Sequence, residues 1–167
     1  DWFALKPSIL AGIMEHYATG MPVVEQAAAT EDAGSHDESD VIRQIKQLLD
    51  VWMEAFNNRD LEGWSNTHNF PHVRIAGGHV SLWETKDDYI SHFSKPDMFE
   101  SLEEAGWHHS KWVSRDFDLV SEEKVHVSVV FQRYDKENNP HSKFEALYVV
   151  TKINSTWGVQ ARSSLAP

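Results

Sequence analysis

A pair of short strands separated by two glycines constrains the fold of this chain most strongly. Residues 73–76 (VRIA) and 79–82 (HVSL) flank Gly77-Gly78. Two-residue turns of this kind need a positive φ, which glycine adopts without strain, and they join antiparallel strands. The turn also sets the register, with Ala76 opposite His79. The chain therefore builds part of its structure from an antiparallel sheet.

Four longer strands are predicted after this hairpin. They cover residues 107–119, 124–134, 142–153 and 156–165, and Asn154-Ser155 forms a second tight turn between the last two. Long strands joined by short connections are typical of a sheet that is mainly antiparallel.

Helical patterns precede and interrupt these strands. Ser39 and Asp40 are each able to cap a helix, and apolar residues then recur at steps of three and four. This stripe consists of Ile42, Ile45, Leu49, Trp52 and Phe56. Asp60 is expected to cap a short second helix, and two more helices are predicted over residues 86–93 and 96–106. Helices that come first and strands that come later favour an α+β fold, with helices on one face of a curved sheet.

The first forty residues read as a separate, acidic segment. Residues 1–20 hold a short amphipathic pattern that stops at Gly20, and residues 21–40 are rich in Ala, Glu, Asp and Ser without apolar periodicity. We predict a helical leader over residues 1–20 that docks on the main domain or on a partner subunit. We further predict a flexible acidic linker over residues 21–40 and a single domain over residues 41–167.

Composition excludes several classes of protein. The 167 residues include 26 Asp and Glu against 15 Lys and Arg, a net charge of −11, so we expect no binding to nucleic acid or to an anionic membrane. No apolar run approaches the roughly 20 residues that cross a bilayer. The absence of cysteine excludes disulfide staples and a cysteine nucleophile, and it fits a cytoplasmic protein.

The first hairpin has one apolar and one polar face. Its register places Val73, Ile75, Val80 and Leu82 on the face that the pattern assigns to the core. The other face consists of His72, Arg74, His79, Ser81 and Trp83. This polar face is either an ordinary solvated surface or the rim of a pocket, where histidine, arginine and tryptophan side chains suit an anionic or aromatic ligand.

The last hairpin predicts a charged pair. With Asn154-Ser155 in the turn, a regular register puts Arg162 opposite Leu147 and diagonal to Glu145, within reach of an ion pair. The face that carries them is too apolar to be wholly solvated, so a second subunit is expected to cover part of it. Glu145 and Arg162 are then either a structural pair at that interface or a pair in a pocket.

Ten histidines raise the question of a metal site, but their spacing argues against one. His108 and His109 are adjacent, so on a strand they point to opposite faces, and the sequence contains no HxH or HExxH motif. We predict no metal and no cofactor. His109, near the start of a long strand, is either a structural histidine or a general acid or base.

Two segments carry a resemblance to a known superfamily. The sequence EAFNNRDLEGW over residues 54–64 resembles the A-x-N-x-x-D junction of the nuclear transport factor 2-like superfamily. The last hairpin, LYVVTK and WGVQARSS on either side of its turn, is similar to the last hairpin of that superfamily. The resemblance covers about residues 41–167 and indicates the SnoaL-like, ketosteroid isomerase-like branch.

This resemblance implies a cone-shaped, cystatin-like α+β barrel. In it, a long helix and shorter helices pack on a strongly curved, mainly antiparallel sheet that encloses a pocket, and homodimers form through the outer face of the sheet. The superfamily includes isomerases, cyclases, dehydratases and non-catalytic binding domains, so the fold leaves the activity open. The residues that isomerases use fall near Ala76 or Gly77, Trp52 and Val149 in this sequence, and of these only Trp52 has a polar hydrogen to donate.

We therefore predict a protein that binds a small, largely apolar molecule, with or without acid–base isomerisation, cyclisation or dehydration. The candidate ligand-binding residues are Trp52, Phe56, His72, His79, Trp83 and Trp112. The candidate catalytic residues are His109 and Glu145 as acid or base, and Arg162 as the group that stabilises an oxyanion. The alternative is a non-catalytic module for dimerisation or ligand binding.

Overall fold

The computed structural model describes residues 32–95 and 97–165, with side chains from Glu38 onward. The predicted leader over residues 1–20 and the first part of the predicted linker, residues 21–31, lie outside the described residues. Within the described residues the chain forms four helices and six strands, which confirms the predicted α+β class.

The elements follow in the predicted order. The helices are α1 (Asp32–Asn57), α2 (Leu61–Ser65), α3 (Lys86–Phe93) and α4 (Met98–Glu104). The strands are β1 (His68–Ala76), β2 (His79–Trp83), β3 (His109–Val120), β4 (Lys124–Tyr134), β5 (Pro140–Ile153) and β6 (Thr156–Ser164). Asp60, Thr85 and Asp97 cap the three shorter helices, because their side-chain oxygens accept hydrogen bonds from backbone N–H groups.

Helix α1 is longer than the sequence predicts. It begins at Asp32, so residues 32–40, which we assigned to the flexible linker, form its first turns. Residues 38–40 are exposed. The prediction relied on apolar periodicity, and exposed residues such as these need not show it. Further along, the helix packs on the sheet, and Ile45 and Leu49 are fully buried.

Within the described residues, one curved sheet has the strand order β2-β1-β6-β5-β4-β3. Neighbouring strands are antiparallel except β1 and β6, which are parallel. The inner face of the sheet packs against the helices and presents every second residue to the core, as Val125, Val127 and Val129 show on β4. Irregularities in four of the five strand pairings bend the sheet around this core.

The first hairpin has the predicted register but the opposite orientation. Ala76 pairs with His79 and His72 pairs with Trp83, as predicted. His72 and Trp83, however, are buried, whereas Ile75 and Val80 are exposed. Assigning the apolar face to the core was therefore wrong. The polar face turns inward because its side chains find hydrogen-bond partners inside the fold, described below, and the apolar face becomes the outer surface of the sheet.

A bulge in β6 changes the orientation of Arg162. Val150 pairs with Val159 as predicted, but Val149 pairs with Ala161, so Gln160 is an extra residue in β6. The shift places Arg162 opposite Tyr148 on the inner face rather than opposite Leu147 on the outer face. Because a one-residue shift moves a side chain to the other side of a sheet, the predicted pair of Arg162 with Glu145 does not form.

Membrane-spanning helices are absent from the part of the chain that the structure describes, where no helix has the length and apolar character needed to cross a bilayer.

Candidate functional site

A cavity of about 340 Å³ lies between the helices and the inner face of the sheet. Its walls come from every helix and from five of the six described strands. The lining residues are Trp52, Met53, Phe56, Trp64, Arg74, Phe93, Met98, Leu102, Ser110, Phe131, Arg133, Tyr148, Arg162 and Ser164. Most of these side chains are apolar or aromatic, and the polar ones come mainly from the sheet. Small-molecule sites are built in this way, with an apolar cavity and a few convergent polar groups.

The helical wall of the cavity is aromatic because α1 presents large rings at helical spacing. Trp52 and Phe56 are four residues apart, so they share one face of α1, and their rings stack at 5.4 Å with an interplanar angle of 9°. Trp64 from α2 meets both rings edge to face, at 5.4 Å from Trp52 and 5.2 Å from Phe56. These contacts hold a rigid apolar surface.

The sheet wall of the cavity carries three arginines. Arg74 on β1 and Arg162 on β6 are direct neighbours across the parallel strand pair, and Arg133 near the end of β4 lines the same cavity. Burial lowers the pKa of Arg74, and the positive charge of Arg162 adds to this effect. Burial likewise lowers the pKa of Arg133, with a further contribution from Arg74. The charge of Arg74 therefore interacts with those of Arg162 and Arg133 inside the fold.

Arg162 is held by hydrogen bonds to neutral groups. Its Nε donates to Nε2 of His72 at 3.3 Å, and its Nη2 donates to the hydroxyl of Tyr89 at 3.0 Å. Tyr148, which pairs with Arg162 across β5 and β6, also interacts with it. The guanidinium lies over the Trp64 ring at 5.2 Å from its centroid, an additional cation–π contact. These contacts fix its orientation at the cavity wall.

The hydrogen bonds of two buried histidines show that both rings are neutral. His68 Nδ1 lies 2.8 Å from the carbonyl oxygen of Trp64, and His72 Nδ1 lies 2.9 Å from that of Val159. A carbonyl oxygen only accepts, so each Nδ1 carries the hydrogen. The Nε2 atom of each ring then accepts, from Trp52 Nε1 at 3.4 Å in the case of His68 and from Arg162 in the case of His72.

The pKa values of these histidines agree with the neutral state. Burial lowers the pKa of His72 to about 3, with Arg162 as the second cause. Burial also holds the pKa of His68 well below its usual value, and the charge of Arg162 again contributes. Burial raises the pKa of both Tyr89 and Tyr148, so their hydroxyls stay protonated. The hydrogen-bond partners of Arg162 are therefore uncharged.

In the part of the chain that the structure describes, this wall carries no negatively charged side chain. Among the described residues that line the cavity, none is Asp, Glu or His. The ion pairs found in the described part of the chain involve neither Arg133 nor Arg162. The described residues also contain no cluster of His, Asp or Glu able to hold a metal ion. The described lining of the cavity thus offers cationic and neutral hydrogen-bond donors and contains no carboxylate base.

Six of the predicted site residues lie at or next to the cavity. Trp52, Phe56 and Arg162 line it. His72 supports Arg162 from behind, and Trp83 packs on Tyr89 with ring centroids 5.1 Å apart. Trp112 lies beside Trp52 at 5.6 Å and donates its indole N–H to the carbonyl oxygen of Leu49.

The other three predicted residues lie elsewhere. His79 follows the turn of the first hairpin and is exposed. Glu145 is exposed on the outer face of the sheet, opposite Val130. His109 stacks on Tyr134 at 5.0 Å outside the cavity lining, where burial and then Lys111 lower its pKa. These positions separate His109 and Glu145 from the arginines with which a catalytic set was expected.

Sequence reasoning missed Arg133 and Tyr89. A signal for Arg133 was present, because it continues the inward alternation of Val127, Val129 and Phe131 on β4. Tyr89 is fully buried on α3, and its hydroxyl becomes important only through the inward turn of Arg162.

Solved structures share this fold at low sequence identity. An NTF2-like protein of unknown function from Shewanella oneidensis MR-1 is 19% identical, with a TM-score of 0.60 over 74% of this chain and 98% of that chain. An NTF2-like protein with a cystatin-like fold from Novosphingobium aromaticivorans is 10% identical, with a TM-score of 0.66 over 84% and 91% of the two chains. A protein from Catenulispora acidiphila, solved in complex with S-DNPA, is 10% identical, with a TM-score of 0.59 over 76% and 93%.

Curated relatives match only a short stretch. The human mitochondrial NFU1 iron-sulfur cluster scaffold homolog is 44% identical over 51 residues, which is 30% of this chain. NifU-like protein 4 of Arabidopsis thaliana mitochondria is 42% identical over 54 residues. The chain spans about a fifth of the length of these relatives, 20% and 19% respectively.

A family model covers most of the described domain. The model described as NTF2-like protein (DUF6841) matches residues 37–165, which include most of α1 and every later element. The match agrees with the curved sheet, with the helices on its inner face and with the cystatin-like structures above. The chain therefore belongs to the DUF6841 family of NTF2-like proteins.

Proposed function

We propose that this protein binds a small, largely apolar molecule inside the cavity. The observation that carries the proposal is the combination of an aromatic wall on α1 and α2 with convergent polar side chains on the sheet. The volume of about 340 Å³ falls near the lower end of the range of about 300–1,000 Å³ that is usual for ligand sites. The Catenulispora acidiphila protein, which has the same fold, was solved in complex with S-DNPA, and this is compatible with ligand binding by the fold.

Binding without catalysis is the form of the proposal that the site favours. An acid–base isomerisation or dehydration needs a group that takes a proton from the substrate. The predicted bases His109 and Glu145 lie outside the cavity lining, and His72 is turned away with both ring nitrogens engaged. Arg162 and the two tyrosine hydroxyls are donors, so they stabilise negative charge but do not remove a proton. SnoaL-like chemistry and a cytoplasmic location stay predictions.

An iron–sulfur scaffold role is not part of the proposal. The curated relatives that carry this description match 30% of the chain. Such clusters are held by cysteine thiolates, and the 167 residues contain no cysteine.

We also propose that a second copy of the chain covers the outer face of the sheet. Cross-strand pairing places Leu82, Val73, Ala161 and Val149 in one row, and Val80, Ile75 and Leu147 in the next. Val80 and Leu82 are 70% and 55% exposed. Ser163 lies between Ile75 and Leu147 in the second row, and Glu145 is exposed elsewhere on the same face. Neither row contains a charged side chain, so repulsion between two copies of this chain, whose net charge is −11, is weak at these rows. Exposed contiguous apolar patches mark interaction surfaces.

The binding proposal is tested with 2-naphthamide, a neutral two-ring probe, by isothermal titration calorimetry. We expect saturable binding of one probe per chain. Met98 lines the cavity, and Met98→Trp replaces it with a larger side chain. We expect this variant to bind the probe at least about tenfold more weakly, because the indole ring occupies part of the cavity volume. Val51→Trp is the matched control, because Val51 lies exposed on α1 outside the cavity. Equal binding by both variants would contradict the location of the site.

A further inference from the structure

Arg162, which is buried, and Arg133, which is half-buried, both line the cavity without a carboxylate partner in the described residues. Arg162 is only 8% exposed, and Arg133 has its Nε atom buried. The ion pairs of the described chain all involve other bases. A buried charge is costly unless it is paired. The folded chain therefore keeps positive charge where burial makes that charge energetically unfavourable.

The arrangement of strands adds to this cost. Arg74 and Arg162 occupy directly paired positions on β1 and β6, with side chains on the same inner face. Like charges in such lateral pairs destabilise a sheet. Arg133 lines the same cavity from β4, so three cationic groups converge on one enclosed volume. An anion bound beside Arg162 and Arg133 would offset the cost of burying their charges.

Hydrogen-bond donors are available for such an anion. Arg133 Nε has no hydrogen-bond partner among the described residues. Arg162 uses Nε and Nη2 for His72 and Tyr89 and makes a further contact with Tyr148, whereas a guanidinium has five N–H donors. Planar guanidinium groups match the geometry of a carboxylate, with two parallel N–H bonds. The site thus has the donors that carboxylate recognition requires.

We propose that the ligand of this cavity carries a carboxylate, which Arg162 and Arg133 bind while the apolar body of the ligand contacts the aromatic wall of Trp52, Phe56 and Trp64. The inference rests on the proposed function and names the class of ligand. A cavity of about 150 Å³ holds one benzene ring. A volume of about 340 Å³ therefore accommodates a carboxylate with a body of about two rings.

The test compares 2-naphthoate with 2-naphthamide, which has the same rings and a neutral group in place of the carboxylate. Calorimetric titrations at neutral pH, in a buffer free of phosphate and carboxylate ions, give the two dissociation constants. We expect 2-naphthoate to bind at least about tenfold more tightly, as charge-assisted hydrogen bonds contribute roughly this much. Arg162→Gln and Arg133→Gln are each expected to reduce this preference, and Arg43→Gln, an exposed arginine on α1, is expected to retain it.

The outcomes separate this inference from the proposed function. Equal affinity for the two probes overturns the carboxylate inference and leaves the binding function standing. Binding of neither probe at millimolar concentration overturns both. A preference for 2-naphthoate that persists in both Arg162→Gln and Arg133→Gln also overturns the inference. So does an equal loss of the preference in Arg43→Gln, because the carboxylate would then bind outside the cavity. Because Arg133 has fewer protein partners than Arg162, its variant remains informative if Arg162→Gln does not fold.

Discussion

Arg162 donates its Nε–H to the Nε2 atom of His72 at 3.3 Å, so a buried cation depends on a histidine that stays neutral. His72 is fully buried on β1, and its Nδ1–H is committed to the carbonyl oxygen of Val159 at 2.9 Å. Protonation of His72 would place a second positive charge against the guanidinium. The pair therefore links the charge of the cavity wall to the protonation of a group behind it.

The first prediction concerns the pH dependence of stability. The pKa of His72 is about 3 in the folded chain and 6.5 in the unfolded chain. Between pH 3 and pH 6.5, His72 is therefore protonated in the unfolded chain and neutral in the folded chain. The stability that the neutral ring contributes is fully present above pH 6.5 and is lost as pH falls toward 3. We expect the loss from pH 6.5 to pH 5 to be about 2 kcal/mol in the free energy of unfolding.

Urea unfolding of the parent and of His72→Gln at pH 7 and pH 5 measures this effect. The substitution removes the titrating group, so its cost is expected to be about 2 kcal/mol smaller at pH 5 than at pH 7. His79→Gln, which changes an exposed histidine, is expected to keep the pH dependence of the parent. NMR of the ring nitrogens provides a direct check, and titration of His72 near pH 6.5 would contradict the neutral buried ring.

The second prediction concerns the cost of Arg133 in the absence of a ligand. Its buried Nε has no partner among the described residues, and such an atom costs about 1–3 kcal/mol. The cation–π contact of Arg133 with the Phe144 ring, 4.9 Å away, stabilises the fold by only about 0.5–1 kcal/mol. Met has a similar length and no charge, so Arg133→Met is expected to raise the free energy of unfolding by about 1 kcal/mol.

Chemical denaturation without ligand checks this result. Arg43→Met on the exposed side of α1 serves as the matched control, with an expected change within about 0.5 kcal/mol. A fall in stability of more than about 1 kcal/mol in Arg133→Met would mean that this arginine stabilises the fold and is not a group kept for binding.

The third prediction concerns a glycine on β6. A Cβ atom at Gly158 would lie 2.5 Å from Oδ1 and 2.9 Å from the backbone nitrogen of Asn69. Asn69 cannot yield easily, because its Nδ2 donates to the carbonyl oxygen and the hydroxyl of Thr151 at 2.8 and 2.9 Å. Gly158→Ala is therefore expected to lower the free energy of unfolding by about 1–3 kcal/mol. Ser163→Ala, exposed on the same strand, is expected to have little effect, and equal stabilities would refute the close approach.

The fourth prediction concerns assembly. If a second copy covers the outer face of the sheet, analytical ultracentrifugation should give a mass near twice 19.1 kDa. The double variant Val80→Glu and Leu82→Glu places charges in that face and is expected to give a monomer. Val51→Glu changes a comparably exposed apolar residue on α1 and is expected to remain dimeric. A parent chain that sediments as a monomer would remove the proposed interface.

Local patterns in the sequence predicted much of this fold. The spacing of Trp52 and Phe56, the cap at Asp60 and the bounds of α3 all follow from side-chain periodicity and turn chemistry, which act over a few residues. The hairpin register followed from Gly77-Gly78 in the same way. Short-range rules succeed here because each feature is decided by its immediate neighbours.

The site was less predictable because the orientations of two side chains depend on features that local sequence patterns do not show. The inward orientation of His72 is stabilised by Val159 and Arg162, which are 87 and 90 residues away in the chain. Arg162 itself faces inward only because Gln160 is a bulge, and nothing in the local alternation of β6 reveals it. A regular register instead directed attention to Glu145, on the opposite face.

A crystal structure of the protein with 2-naphthoate would show whether the cavity is a ligand site. We expect electron density for the probe within the cavity, with the naphthyl rings against Trp52 and Phe56 and the carboxylate within hydrogen-bond distance of Arg162 or Arg133. A cavity closed by rearranged side chains, or a probe bound only at the outer surface, would contradict the proposal that this domain is built around a ligand site.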